Sequence, residues 1–177
     1  MKKSLIKNLI TTIGIIIIAA SSRIIPHPPN FTSIGGLAIF SGIHFEKKSA
    51  MFIPLLAMLV SDLILGFHST MLFVYASFLI IFFIGRMIRN KTNISKLISA
   101  GLVSSVLFFL ITNFGVWLLF DMYAKNFSGL TNCYLMGMPF FRNTILGDLF
   151  YTMAFFYGYR YSFVVIKKIG LVLASLK

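Results

Sequence analysis

Two carboxylates, Asp62 and Asp148, stand inside long apolar runs, LLAMLVSDLILGF and TILGDLFYTMAFF, and only Glu46 and Asp121 accompany them among the acids of the chain. At membrane depth an ionisable side chain costs roughly 2.5 to 3.5 kcal/mol on insertion scales, so such a group is usually paired, cavity-facing and functional. The chemistry open to these acids is to accept hydrogen bonds or to pair with a cationic group of a ligand. Residues able to complete such a site occur elsewhere. Asn113 offers bidentate amide contacts, Trp117 and Tyr151 offer stacking surface, and Arg23 or Arg142 offers a planar fork for a carboxylate or phosphate. Asn30 and His68 flank the same segments. A structural alternative stands beside this reading. Asp62 can pair with Arg23 or Arg142, Asp148 can brace a helix end, and Trp117 can anchor at a membrane interface.

The elements that must position these residues are membrane helices. The 177 residues are 58% hydrophobic and 11% charged, with mean hydropathy +0.92. A soluble domain carries about 25% charged residues. The sequence therefore predicts an all-α integral membrane protein, one domain over 1–177. Its apolar runs mark six spans, at about 5–24, 31–45, 49–66, 70–88, 95–120 and 143–166. Five are long enough for a core of roughly 30 Å. The second is short and rich in small residues (SIGG, then SG), which suits a tightly packed internal helix.

Charge parity orients the bundle. With six crossings and both termini cytoplasmic, all 16 Lys and Arg except Arg23, Lys125 and Arg142 fall on the inner side. Holding the second segment on one side leaves at least five outside, so the positive-inside rule favours six spans. In this topology IPHPPN (25–30) is a stiff outer loop, and 121–142, punctuated by Gly and Pro, is the longest connection, also outside. Asp62, Asp148, Asn113, Trp117, Arg23, Asn30, His68, Arg142 and Tyr151 then gather near one leaflet. Asn113, Trp117 and Asp121, spaced i, i+4, i+8, share a helical stripe. The inner half carries headgroup-type cations and small-residue packing, Ala100 with Ser104 and Gly101 with Ser105. The expected site is an outward-facing pocket closed by the two outer loops.

Other readings are weaker. The net charge of +12 falls between apolar runs, where it meets anionic lipid headgroups, so no nucleic-acid partner is expected. G-x-S-x-G, H-E-x-x-H and CxxC are missing, and no enzyme activity, metal or cofactor is expected. Ser61, Asp62 and His68 match a catalytic group by residue type alone, since adjacent helical residues do not face each other. Cys133 is the lone cysteine and excludes an intramolecular disulfide. The N-terminal MKKSLIKNLITTIGIIIIAASS has the layout of a signal peptide but reads better as an uncleaved first helix. The tail KKIGLVLASLK either completes span six or lies at the inner interface. Asn30, Asn93 and Asn126 match the glycosylation pattern by chance.

The stretches SRIIPHPPNFTSIGGLAIFSG, AMLVSDLILGFHSTMLFVY and TNFGVWL resemble a family of uncharacterised small bacterial membrane proteins. That family is similar to the substrate-binding S components of energy-coupling factor (ECF) vitamin transporters. The likeness covers about 22–161 and implies an S-component-like six-helix fold in the inner (cytoplasmic) membrane. It further implies capture of a vitamin or similar micronutrient near the outer face, with docking on a transmembrane coupling subunit and two ATPases. S components carry a spaced alanine motif in the first helix. Here that stretch reads LIKNLITTIGIII, with Ala19 and Ala20 at its outer end. A standalone channel or proton-coupled carrier and a membrane enzyme remain as alternatives.

Overall fold

The computed structural model describes the backbone of residues 2–175 and the side chains of 12–161. Among these residues there are six α-helices and no strand: α1 (Lys2–Ile24), α2 (Ile34–His44), α3 (Phe52–Leu65), α4 (Met71–Ile88), α5 (Ile94–Leu119) and α6 (Phe127–Ser175). Short 3-10 turns at Lys48–Met51 and Arg89–Lys91 precede α3 and follow α4. The segments Lys48–Leu65, Met71–Lys91 and Ile94–Leu119 are long and apolar enough to cross a membrane. The side chains of Lys2, Lys3 and Lys7, and of the KKIGLVLASLK tail, lie outside the described residues.

The shortest helix is the centre of the fold. Ile34 through Ile43 are all buried, and α2 touches each of the other five helices. An 11-residue helix is only about 16 Å long, so it cannot meet five neighbours through large side chains alone. Glycine makes the approach possible. A Cβ on Gly36 would lie 2.6 Å from the backbone nitrogen of Thr152 on α6, and one on Gly85 of α4 would lie 2.8 Å from the Cα of Ile39. Gly42 in turn faces the Phe82 carbonyl. Backbone thus packs on backbone, as small residues permit between helices in lipid. The internal packing expected of this segment is what is found.

Outward-facing surfaces are the reverse of a soluble protein's. Leu63, Ile64, Leu72 and Met87 are each at least 65% exposed, among many other large apolar side chains. A soluble monomer rarely tolerates so much contiguous apolar surface. The pattern suits helices bathed in lipid.

Helix ends are set by local chemistry. Asn93 caps α5, its Oδ1 accepting from the Lys96 amide at 2.9 Å, and Asn126 caps α6 by accepting from the Gly129 amide at 2.9 Å. Asn30 adopts φ 64°, a left-handed turn that asparagine tolerates. All three asparagines of the glycosylation-like triplets therefore have backbone roles. Gly66, at φ 96°, ends α3 and donates to the Asp62 carbonyl at 2.8 Å.

One expectation is corrected. The long loop predicted over 121–142 is helical from Phe127, leaving only residues 120–126 as a connection. Gly129 falls in the first turn, Gly137 is placed where α6 presses on Asn113 and Phe109 of α5, and Pro139 lies within the helix. Glycine and proline mark close approach here rather than a turn, a usage common where neighbouring helices support the chain.

Gly85→Ala should lower the stability of the detergent-solubilised protein by about 1–3 kcal/mol through overpacking. Gly158→Ala, whose Cβ would meet nothing within 4 Å, should be neutral or stabilising by up to about 1 kcal/mol. Thermal unfolding of the two variants side by side checks the contrast.

Candidate functional site

At the end of the bundle where α1, α3 and α5 finish and α2 and α4 begin, a cavity of about 510 Å³ opens between all six helices. Arg23 and Met58 form one wall, and Val74 and Phe78 of α4 the next. Phe108, Thr112, Asn113 and Val116 of α5 face Cys133, Met136, Gly137, Phe140, Thr144 and Asp148 of α6. Pro29, Asn30, Thr32, His68, Thr70, Met122 and Tyr123 form the rim, and Gly35 the floor at the start of α2. The rim is tied down: Asn143 donates to the Pro29 carbonyl at 3.0 Å, and the Ser22 and Ser33 hydroxyls share a 2.7 Å hydrogen bond.

The two acids of the apolar runs have different surroundings. Asp62 is 1% exposed and ion-paired: the Arg23 guanidinium meets Oδ1 at 2.5 Å, and the Tyr75 hydroxyl donates to Oδ2 at 2.9 Å. The same Arg23 nitrogen donates to Ser61 Oγ at 2.5 Å and toward the Met58 carbonyl at 3.4 Å. This network joins α1, α3 and α4 behind the cavity wall. Asp62 does not line the cavity, whereas Arg23 does.

Asp148 is 5% exposed and does line it. Its Oδ2 accepts from Ser105 Oγ at 2.7 Å, and its Oδ1 lies against Gly35, leaving no room for a Cβ there. Among the described residues no cation pairs with it. The N-terminal end of α2 supplies partial positive charge but not a full one. Thr144 and Thr152, one turn to either side, are also buried, and the Thr152 hydroxyl has no hydrogen-bond partner among the described residues.

Of the residues singled out from sequence, Arg23, Asn30, His68, Asn113 and Asp148 come together around one cavity. Asp62, Trp117, Arg142 and Tyr151 do not line it. The Trp117 indole donates to the Ala124 carbonyl at 2.9 Å, and Lys125 lies 5.8 Å from its ring. Lys125 also donates to the Trp117 carbonyl and, at 2.7 Å, to that of Phe120, closing the C-terminal end of α5. Trp117 thus secures the 120–126 connection instead of stacking on a ligand. Arg142 is exposed. Tyr151 sits behind Phe31, ring centroids 5.7 Å apart, on a separate groove with Ile17, Ile18 and Pro26.

Sequence reading passed over Ser105, Thr112, Cys133 and Thr144. A signal for one of these, Thr144, is present in the sequence. Phe140, Thr144, Asp148 and Thr152 recur every four residues, a stripe on one face of α6. A span that starts at 143 omits Phe140 and so cuts the stripe short, and Ser105 reads from sequence as a small-residue packing position.

With the geometry in place, comparison with known proteins adds a family. The model of a family of unknown function, DUF6580, matches residues 3–168. The chain belongs to this family. No curated protein and no solved structure matches it. For this DUF6580 member the cavity is therefore the main guide to function. Its volume lies within the roughly 300–1,000 Å³ of small-molecule sites, and its lining is mostly apolar with a few convergent polar groups, as such sites are.

Asp62→Ala should destabilise the protein by about 2–4 kcal/mol, because it leaves the partly buried Arg23 charge without its partner. The double variant Arg23→Met/Asp62→Leu should recover most of that loss. Denaturant or thermal unfolding of the single and double variants measures both. Equal destabilisation in the two would show that the charge pair is not what holds α1 to α3.

Proposed function

We propose that the protein is a membrane-embedded substrate-binding subunit that takes up a vitamin or similar small micronutrient, its ligand seated in the cavity beside Asp148. One observation carries this reading: a cavity of about 510 Å³ enclosed by all six helices, with Arg23, Thr112, Asn113, Thr144 and Asp148 converging on an apolar lining. A channel needs a continuous path, and the cavity floor at Gly35 is backed by α2, buried from Ile34 through Ile43. Ser61, Asp62 and His68, which match a catalytic group by residue type, are not assembled with one another there either. Ser61 is engaged with Arg23, and His68 shares a 2.9 Å hydrogen bond with Thr70 at the rim.

In this proposal all six helices are membrane elements of one multi-pass domain in the inner membrane, with both termini cytoplasmic and the cavity facing outward. The distribution of charge supports that orientation. Glu46, Lys47, Lys48, Arg86, Arg89, Lys91 and Lys96 lie at the end opposite the cavity, where Arg86 and Arg89 donate to the Glu46 and Phe45 carbonyls at 2.9 and 3.3 Å. Such cations belong on the cytoplasmic side. The fold would resemble an S component, and energy would come from a coupling subunit with two ATPases.

The function is tested by equilibrium dialysis of the purified protein against a mixture of water-soluble vitamins. One compound should be retained at about one per chain, and Thr144→Phe, which fills the cavity, should abolish retention without loss of folded protein. Retention unchanged in Thr144→Phe would place binding elsewhere. Affinity purification from the native membrane should bring ATPase subunits. Recovery of the chain alone, with solute flux in proteoliposomes, would favour a carrier instead. In a Cys133→Ala background, cysteine at position 68 should react with impermeant reagents from outside and cysteine at 47 only from inside. The reverse pattern would overturn the orientation.

A further inference from the structure

The two acids in the apolar runs are both buried but not equally compensated. Asp62 has a guanidinium and a phenol, and its pair with Arg23 is neutral overall. Asp148 has one hydroxyl, from Ser105. A buried carboxylate without a partner is costly, and what relieves the cost is a proton on the carboxyl itself, a cation, or strong hydrogen-bond donors. The protein supplies neither a cation nor donors in full. The first turn of α2, where Gly35 leaves Oδ1 uncovered by any Cβ, contributes about half a charge at most. The remaining side of Asp148 is the cavity.

The other lining residues agree on sign. Arg23 is the only Lys or Arg among them, and its charge is matched by Asp62. His68 is exposed at the rim and engaged with Thr70. With Asp148 ionised, the cavity therefore holds one negative charge in excess. Around it stand the phenyl groups of Phe78, Phe108 and Phe140 and the thioethers of Met58 and Met136. Aromatic faces attract cations as well as apolar surface. Thr112 and Asn113 leave positions for polar substituents on the far wall.

We propose that the ligand is an organic monocation, a protonated amine or cationic nitrogen heterocycle on an aromatic or apolar body, whose charged nitrogen docks on Asp148. This rests on the reading of the cavity as a small-molecule site and adds the charge of its occupant. Asp148 serves as the counter-ion. Ser105 donates to one carboxylate oxygen and Gly35 packs on the other, whose remaining lone pair is the position for the incoming N–H. Arg23, fixed by Asp62, offers a guanidinium edge at the opposite wall to an acceptor on the ligand.

The test uses three molecules of one shape and different charge: tryptamine (cation), tryptophol (neutral) and indole-3-acetate (anion). Each is titrated by equilibrium dialysis against the detergent-purified protein, with unfolding temperature as a second readout. Tryptamine should bind at least about tenfold more tightly than the other two, roughly 1.4 kcal/mol. In Asp148→Asn, which keeps shape and removes charge, the three should bind alike. If that variant fails to fold, the ranking in the unmodified protein decides. Tryptophol or indole-3-acetate binding as tightly as tryptamine would overturn the monocation assignment while leaving the cavity a binding site. Undiminished preference for tryptamine in Asp148→Asn would remove Asp148 as its counter-ion. No binding of any of the three at millimolar concentration, with no shift in unfolding, would remove the small-molecule reading together with the assignment.

Discussion

The burial of α2 on every side is the constraint on which the other features depend. A helix of 11 residues with no exposed face must be surrounded, and its glycines set how closely the neighbours come. Gly36 lets α6 lie against it near Thr152, and Gly42 and Gly85 bring α4 to contact. The long helices pass this short one and continue beyond its first turn. The space above Ile34 is then walled by α1, α3, α4, α5 and α6 but has no helix through it. The cavity is a geometric consequence of one short element inside five longer ones. Asp148 lies where that short helix begins, so the fold itself places a carboxylate at the cavity floor.

The same geometry separates two acids that look alike in sequence. Asp62 lies on α3 one turn before its glycine stop, within reach of Arg23 at the end of α1 and Tyr75 on α4. Three helices with few other polar contacts are joined there, and the pair fixes Arg23 as part of the cavity wall. Asp148 lies between α6, α5 and the start of α2, where glycine and serine are the neighbours. Burial alone does not separate the two carboxylates. The identity of the groups opposite does.

Much of the fold could be read from the sequence, and for identifiable reasons. Apolar runs separated by charge clusters placed the helices to within a few residues, apart from both ends of α6, and small residues in 31–45 marked the internal one. Convergence of Arg23, Asn30, His68, Asn113 and Asp148 followed from alternating helix direction. What could not be read were choices among partners. Asp62 had two basic residues within plausible reach, and only packing selected Arg23 over Arg142. Trp117 and Asn113 share a stripe by spacing, yet Asn113 faces Gly137 and the cavity while the indole turns to Ala124. The 121–142 segment was misread because Gly129, Gly137 and Pro139 signal a loop in water and helix contact in a bundle. Ser105 looked like packing because a serine's role depends on what stands across from it.

The most direct measurement is a native mass spectrum of the protein released gently from its own membrane. The expected result is the 19.9 kDa chain carrying one small molecule that, once ejected, is an organic cation, with the adduct missing from Asp148→Asn and the folded chain still present. A bare chain, or an adduct that is anionic or survives the loss of the Asp148 charge, would contradict the assignment of Asp148 to a ligand.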